Sequence, residues 1–255
     1  MNKSLSTANR DAPSSNALAD APPESSPLGE TPRSSPLGDV PPSSPLVHSP
    51  SAAPGLRRAT VDDIEPLRTV LAEAFMEDPI LGWLIPNGAR RRARLRHYFG
   101  IELRHFALPR GHVETTDDLA GAMLSLPPGR WRVPPRTTLL HGTVFGVRLP
   151  KAASLGATME LRHMRLARGP HYYVRDIGVH PDIQGRGLGG ALMRPTLDRC
   201  DREGVPAYIE ASSERSAALY ARLGFELIEE LRVWGSPPLR LMLRPPRPLE
   251  EGTRG

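Results

Sequence analysis

Five glycines fall within the nineteen residues of "RDIGVHPDIQGRGLGGALM", Arg175–Met193, between a strand-like run and a helix-like run. No other stretch of the chain limits its fold so tightly. A helix N-terminus offers unpaired N–H groups and the positive end of a dipole, and glycines crowded there let another group approach the backbone. The upstream run reads as a strand over His171–Val179, with Tyr172, Tyr173, Val174, Ile177 and Val179 as its apolar and aromatic positions. The downstream run reads as a helix over Gly187–Glu203 that stops at Gly204 and is expected to kink at Pro195.

Two phosphate-binding readings of the loop compete. A Walker loop is excluded, because no Gly-Lys-Ser/Thr follows the glycines. Gly185, Gly187 and Gly190 do match the dinucleotide pattern G-x-G-x-x-G, and Glu210 lies 20 residues beyond Gly190. Against that reading, His180–Gln184 separates the strand from the glycine turn, and only 45 residues follow Glu210. A dinucleotide crevice needs further strand–helix–strand units than that remainder allows.

The rest of the chain alternates strands and helices, an α/β or α+β pattern. Strands are expected over Leu56–Thr60, Gly111–Thr116, Ala120–Leu126, Val205–Ile209, Glu226–Trp234 and Leu239–Arg244. Ile64, Leu67, Leu71, Ala74 and Phe75 keep helical spacing until Asp78-Pro79 breaks it, and Arg90–Phe106 forms a second amphipathic pattern. Residues 136–168 are ambiguous, with 151–167 leaning helical. Ser212-Ser213 caps a short helix that runs through Leu223 and ends at Gly224.

Residues 1–55 hold 11 of the 29 prolines, 12 serines and no aromatic residue, so they cannot bury enough apolar surface to offset ordering entropy. They are expected to be a disordered tail carrying three Ser-Ser-Pro-Leu copies, followed by a folded domain over 56–246 and a short C-terminal tail over 247–255. No apolar run reaches the length of a membrane span, and no signal-peptide core opens the chain. Cys200 is the sole cysteine, which makes a reducing, cytoplasmic setting the default. Of 33 basic and 28 acidic residues, three and five lie in the tail, which leaves the folded part with a surplus of seven positive charges. The densest cluster, Arg90–Arg94, reads as the solvated face of a helix rather than a nucleic-acid surface, and a modest positive field equally suits an anionic cofactor. No histidine pair has metal-ligand spacing, so no metal is expected.

Taken whole, Val179-His180-Pro181-Asp182-Ile183-Gln184-Gly185-Arg186-Gly187-Leu188-Gly189 resembles the V-x-P-x-x-Q/R-x-x-G-x-G/A signature of the GNAT superfamily of acyl-CoA-dependent N-acyltransferases. The resemblance continues through "GVPAYIEAS" (Gly204–Ser212) and "LYARLGFE" (Leu219–Glu226), and "RRATVDDIEPLRTVLAEAF" (Arg57–Phe75) looks like the family's first strand and helix. Within the family these segments are most similar to the puromycin-modifying branch. The resemblance implies a central mixed, mostly antiparallel sheet, splayed at its middle and flanked by helices. It implies acetyl-CoA as co-substrate, held by the backbone of Ile177, Gly178 and Val179 and by the loop Gln184, Gly185, Arg186, Gly187, Leu188, Gly189 and Gly190. Gly178 is expected to mark a bulge. Glu210 matches the family's general base and Tyr220 its general acid, with a cap for the Ser212-Ser213 helix and a core aromatic as the alternatives. Where many members have an asparagine upstream of the tyrosine, this chain has Ser213-Glu214-Arg215-Ser216. The expected activity is direct acetyl transfer to an amine, probably of a small molecule, by a monomer or homodimer without nucleic-acid or membrane partners. Acetylation of a protein N-terminus or lysine, and a non-catalytic acyl-CoA sensor, are the competing readings.

Overall fold

A computed structural model describes residues 55–86 and 88–248. The expected N-terminal tail, apart from Gly55, and most of the C-terminal tail lie outside the described residues. Seven strands form one sheet in the order β1 (Leu56–Arg58), β2 (His112–Thr116), β3 (Gly121–Leu126), β4 (Tyr172–Val179), β5 (Ala207–Ala211), β7 (Leu239–Arg244), β6 (Glu226–Leu231). Only β4 and β5 pair in parallel; every other neighbour is antiparallel. The sheet is therefore mixed and mostly antiparallel, as the resemblance implies.

Helices cover both faces. Against one lie α1 (Ile64–Ala74), α2 (Pro79–Leu84), α3 (Arg91–Glu102), α5 (Pro135–Phe145) and α6 (Leu149–Leu166), with α3 continued by a π-helical segment, Leu103–Ala107, and by α4 (Leu108–Arg110). Against the other pack α7 (Leu188–Glu203) and α8 (Glu214–Arg222). Side-chain alternation sorts the strands accordingly. Ala122, Leu124, Leu126, Tyr173 and Tyr208 join the α1–α3 core, while Met123, Val174, Val179, Ile209 and Ala211 join the α7 core.

Two features of β4 position the site. Its parallel pairing with β5 runs only from Tyr172–Ala207 to Val174–Ile209, so the two strands part beyond that rung. On its other edge Ser125 pairs with Val174 and Leu124 with Asp176, which leaves Arg175 as a surplus residue. The bulge therefore sits at Arg175 and not at Gly178. Gly178 answers a different need, because a Cβ there would lie 2.9 Å from both Ala74 Cβ and Leu71 Cδ2. Its missing side chain lets α1 settle on the sheet.

Other expectations need correction too. Residues 135–166 form two helices, separated where Gly146 takes φ 53°. Exposed Leu139, Val147 and Leu161 blur the apolar periodicity there. α7 runs unbroken through Pro195. β6 stops at Leu231, short of Trp234, which turns the chain with φ 53°. Arg91 is no solvated residue: it is 2 % exposed, and its guanidinium donates to the carbonyls of Phe75, Met76, Leu81 and Ile85. Those bonds tie the ends of α1 and α2 to α3.

Candidate active site

The parted strands open into a cavity of about 1070 Å³, whose wall includes the glycine loop, the starts of α2 and α8, and one side of α6. Ile177, Gly178, Val179, Gln184, Gly185, Gly187, Leu188, Gly189, Gly190, Glu210 and Tyr220 all line it. Arg186 is exposed and does not.

Gly187 is the N-cap of α7 at φ 84°, and Gly185 has φ 83°, a left-handed backbone that side-chain-bearing residues adopt only at a cost. No side chain caps this helix and no acidic residue sits in its first turn. Ala191 N–H is the first to bond within the helix, to Gly187 O at 3.1 Å, so the preceding amides face outward. Gln184 turns back and donates Nε2–H to Val179 O at 2.9 Å, bracing the loop against β4. Gly189 admits α8, since a Cβ there would stand 3.2 Å from Leu219 Cδ2. An uncapped dipole end, converging N–H donors and no side chains in the way fit the diphosphate of acetyl-CoA.

Deeper in the cavity lies a chain of polar groups. The Tyr173 hydroxyl donates to Glu210 Oε2 at 2.7 Å. Arg175 donates to the same hydroxyl at 3.4 Å and through Nε and Nη2 to Glu102, each at 3.2 Å. Glu102 is fully buried on α3, and His141 Nε2 lies 2.9 Å from its Oε1. Burial pushes the Glu210 carboxyl up to about 7, against the opposing pull of the Tyr173 hydrogen bond and the Arg175 charge. Tyr220, on α8, is 5 % exposed; burial, followed by the charges of Asp176 and Asp78, raises its phenol, so it stays protonated at neutral pH. Glu210 takes no part in capping α8, where Ser213 and Ser216 form a capping box between themselves.

Two carboxylates of this wall escaped the sequence reading. Asp78 caps α2, accepting from Leu81 N–H at 2.7 Å, and also receives the Ser212 hydroxyl. Asp-Pro before an apolar run is a helix-start signature, although it reads equally well as a breaker. Asp176 stands beside the bulge, and burial pushes its carboxyl up to about 7. Arg175-Asp176, two adjacent charges inside an otherwise apolar strand, was the available signal for both the bulge and the site.

Trp131 lines the cavity and packs on His163 with ring centroids 4.2 Å apart, whereas Trp83 is not in the cavity wall and lies under Lys151. His163 Nε2 bonds His171 Nε2 at 2.7 Å, and burial with its neighbours' charges depresses it to about 3, so it is neutral. Cys200 is buried, and its thiol is pushed up to about 12, which leaves it unsuited to nucleophilic work. No helix among the described residues is long and apolar enough to cross a membrane.

Comparison with known proteins bears on this geometry. Residues 152–225 match the family model described as the acetyltransferase (GNAT) family. An uncharacterised N-acetyltransferase of Schizosaccharomyces pombe is 25% identical over 211 residues, spanning 74% of this chain and 83% of that protein. The N-alpha-acetyltransferase RimI of Mycobacterium tuberculosis is 44% identical over 68 residues, which cover 25% of this chain and 42% of that one. Among solved structures, a histone acetyltransferase and related acetyltransferase from Corynebacterium glutamicum superposes with a TM-score of 0.60 at 26% identity, over 78% of this chain and 99% of that chain.

Proposed function

From the premise that this chain is a GNAT-family N-acetyltransferase, we propose that it acetylates a small-molecule amine, with Glu210 as general base and Tyr220 as general acid. The observation that carries this reading is the single cavity in which the glycine loop, Glu210 and Tyr220 meet. Acetyl-CoA supplies the activated acetyl group. The amides of Leu188, Gly189 and Gly190 hold its diphosphate, and the free edge of β4 at Ile177–Val179 receives the arm that carries the thioester. An unpaired N–H on that edge also stabilises the charge that develops on the acyl oxygen.

Glu210 takes the proton that an ammonium must lose before its nitrogen can attack. A carboxyl near 7 is far better matched to that task than one in the ordinary range, and it is still largely ionised just above neutrality. Tyr220 returns a proton to the departing sulfur; its raised phenol guarantees that the proton is there to give. Tyr173 and Arg175 keep Glu210 in place and partly ionised.

A small acceptor is favoured because the cavity continues past the reacting groups and is closed by α6 residues such as Leu155, Met159 and His163 and by Trp131. A peptide N-terminus, the acceptor that the RimI name suggests, needs an open groove in that place. The test is release of free thiol from acetyl-CoA with a panel of small amines and of N-terminal peptides. Turnover with peptides alone would overturn the small-molecule reading, and coenzyme binding without turnover of any amine would make the protein a sensor.

A further inference from the structure

One buried oxygen in the cavity is unused by this chemistry. Asp176 Oδ2 has no hydrogen-bond partner among the described residues. Its nearest cation, Arg175 Nε, is 3.9 Å away, and that guanidinium is already committed to Glu102 and to the Tyr173 hydroxyl. A buried acceptor without a donor is costly, and a carboxylate more so than a neutral group.

The backbone is built to put it there. Strict alternation from Tyr173 would send Asp176 to the α7 face, among Val174, Val179 and Leu192. The surplus residue at Arg175 resets the alternation, so Asp176 stands opposite Leu124 and shares the face of Tyr173, Tyr208 and Glu210. Bulges re-aim side chains in this way beside functional sites. Asp176 and Glu210 then flank the gap on its two sides, each just beyond the last paired rung, Val174–Ile209.

Resting on the reading of Glu210 as base, we propose that Asp176 anchors a second, unreactive cationic nitrogen of the acceptor, so that the preferred substrate is a dibasic small amine. The division of labour follows from acid–base chemistry. A carboxylate paired with the reacting nitrogen holds it as ammonium and opposes its deprotonation, whereas one paired with a distant nitrogen binds substrate without that penalty. Asp78 adds to the negative field of the same wall, and the one interior arginine is neutralised by Glu102.

The experiment compares 1,4-diaminobutane with 1-aminobutane as acceptors for the full chain, following thiol release from acetyl-CoA. The wild type should favour the diamine in kcat/KM by at least about tenfold, mainly through KM, as expected for pairing a buried charge. In Asp176→Asn that preference should fall to within about twofold, and Asp176→Glu should restore part of it; calorimetric binding of acetyl-CoA establishes that each variant is folded. Equal use of the two amines by the wild type, or an unchanged preference in Asp176→Asn, overturns the inference and leaves the acetyltransferase reading intact. Absence of thiol release with every amine tried removes that reading, and the inference with it. Should Asp176→Asn lose acetyl-CoA binding, thermal stabilisation of the wild type decides: a larger shift with the diamine than with the monoamine supports the anchor, and equal shifts refute it.

Discussion

Replacing Tyr173 by phenylalanine deletes a single oxygen, the one that donates to Glu210 Oε2 at 2.7 Å. The ring is 3 % exposed and stays packed between His163 and Tyr208, so little else should change. A hydrogen bond to a charged acceptor contributes about 1.5–3 kcal/mol. Neutral Glu210 can also accept from the phenol, so the difference between its two protonation states lies at the low end, about 1.5 kcal/mol. At about 1.4 kcal/mol per pH unit, that difference moves the acidic limb of the kcat/KM profile up by about one unit. Glu210 begins near 7 in the wild type. Protonation removes the base, so the wild-type rate should fall below pH 7 and the variant's below about pH 8. At pH 6.5 the variant should be about tenfold slower, and at pH 9 the two should converge. Initial rates of thiol release between pH 5.5 and 9.5 with one amine give the ratio directly, because the amine's own ionisation cancels. Asp176 titrates in the same range, so the limb belongs to the pair of carboxyls. A rate ratio that stays constant over the whole range would refute the idea that Tyr173 sets the ionisation of Glu210.

Tyr220→Phe should lower kcat at least about tenfold while the calorimetric Kd for acetyl-CoA stays within about twofold, since only proton delivery is lost. Gly178→Ala forces a methyl to 2.9 Å from Ala74 and Leu71; overpacking of this kind costs about 1–3 kcal/mol, read as a lowered Tm. Arg175→Met should cost about 3–5 kcal/mol in denaturant unfolding by stranding the fully buried Glu102 charge, and the double variant with Glu102→Gln should recover most of that loss.

The sequence disclosed the order of strands and helices because apolar spacing is a local property. It disclosed the glycine loop because left-handed backbone at Gly185 and Gly187 demands a particular residue type. The face on which Asp176 lands was hidden. It depends on one unpaired residue in the register between β3 and β4, and register is fixed by a partner strand some fifty positions away. Gly178 was misread for a related reason: a strand glycine signals either a bulge or a close neighbour, and only the position of α1 decides between them. Arg91 looked like solvated charge because its neighbours Arg90, Arg92 and Arg94 are indeed exposed or half-exposed, whereas the carbonyls it satisfies belong to another turn of chain. The cavity wall combines Asp78, Asp176 and Glu210, which tertiary structure alone brings together.

The extra residue in β4 makes the length of that strand a matter of parity. Removing one residue between Val174 and Ile177 would turn every side chain from there to Val179 through the sheet, burying a carboxylate against α7 and an isoleucine against α1. Point substitutions can therefore tune which molecule the cavity accepts, but a single-codon deletion there exchanges the inside of the pocket for the inside of the core.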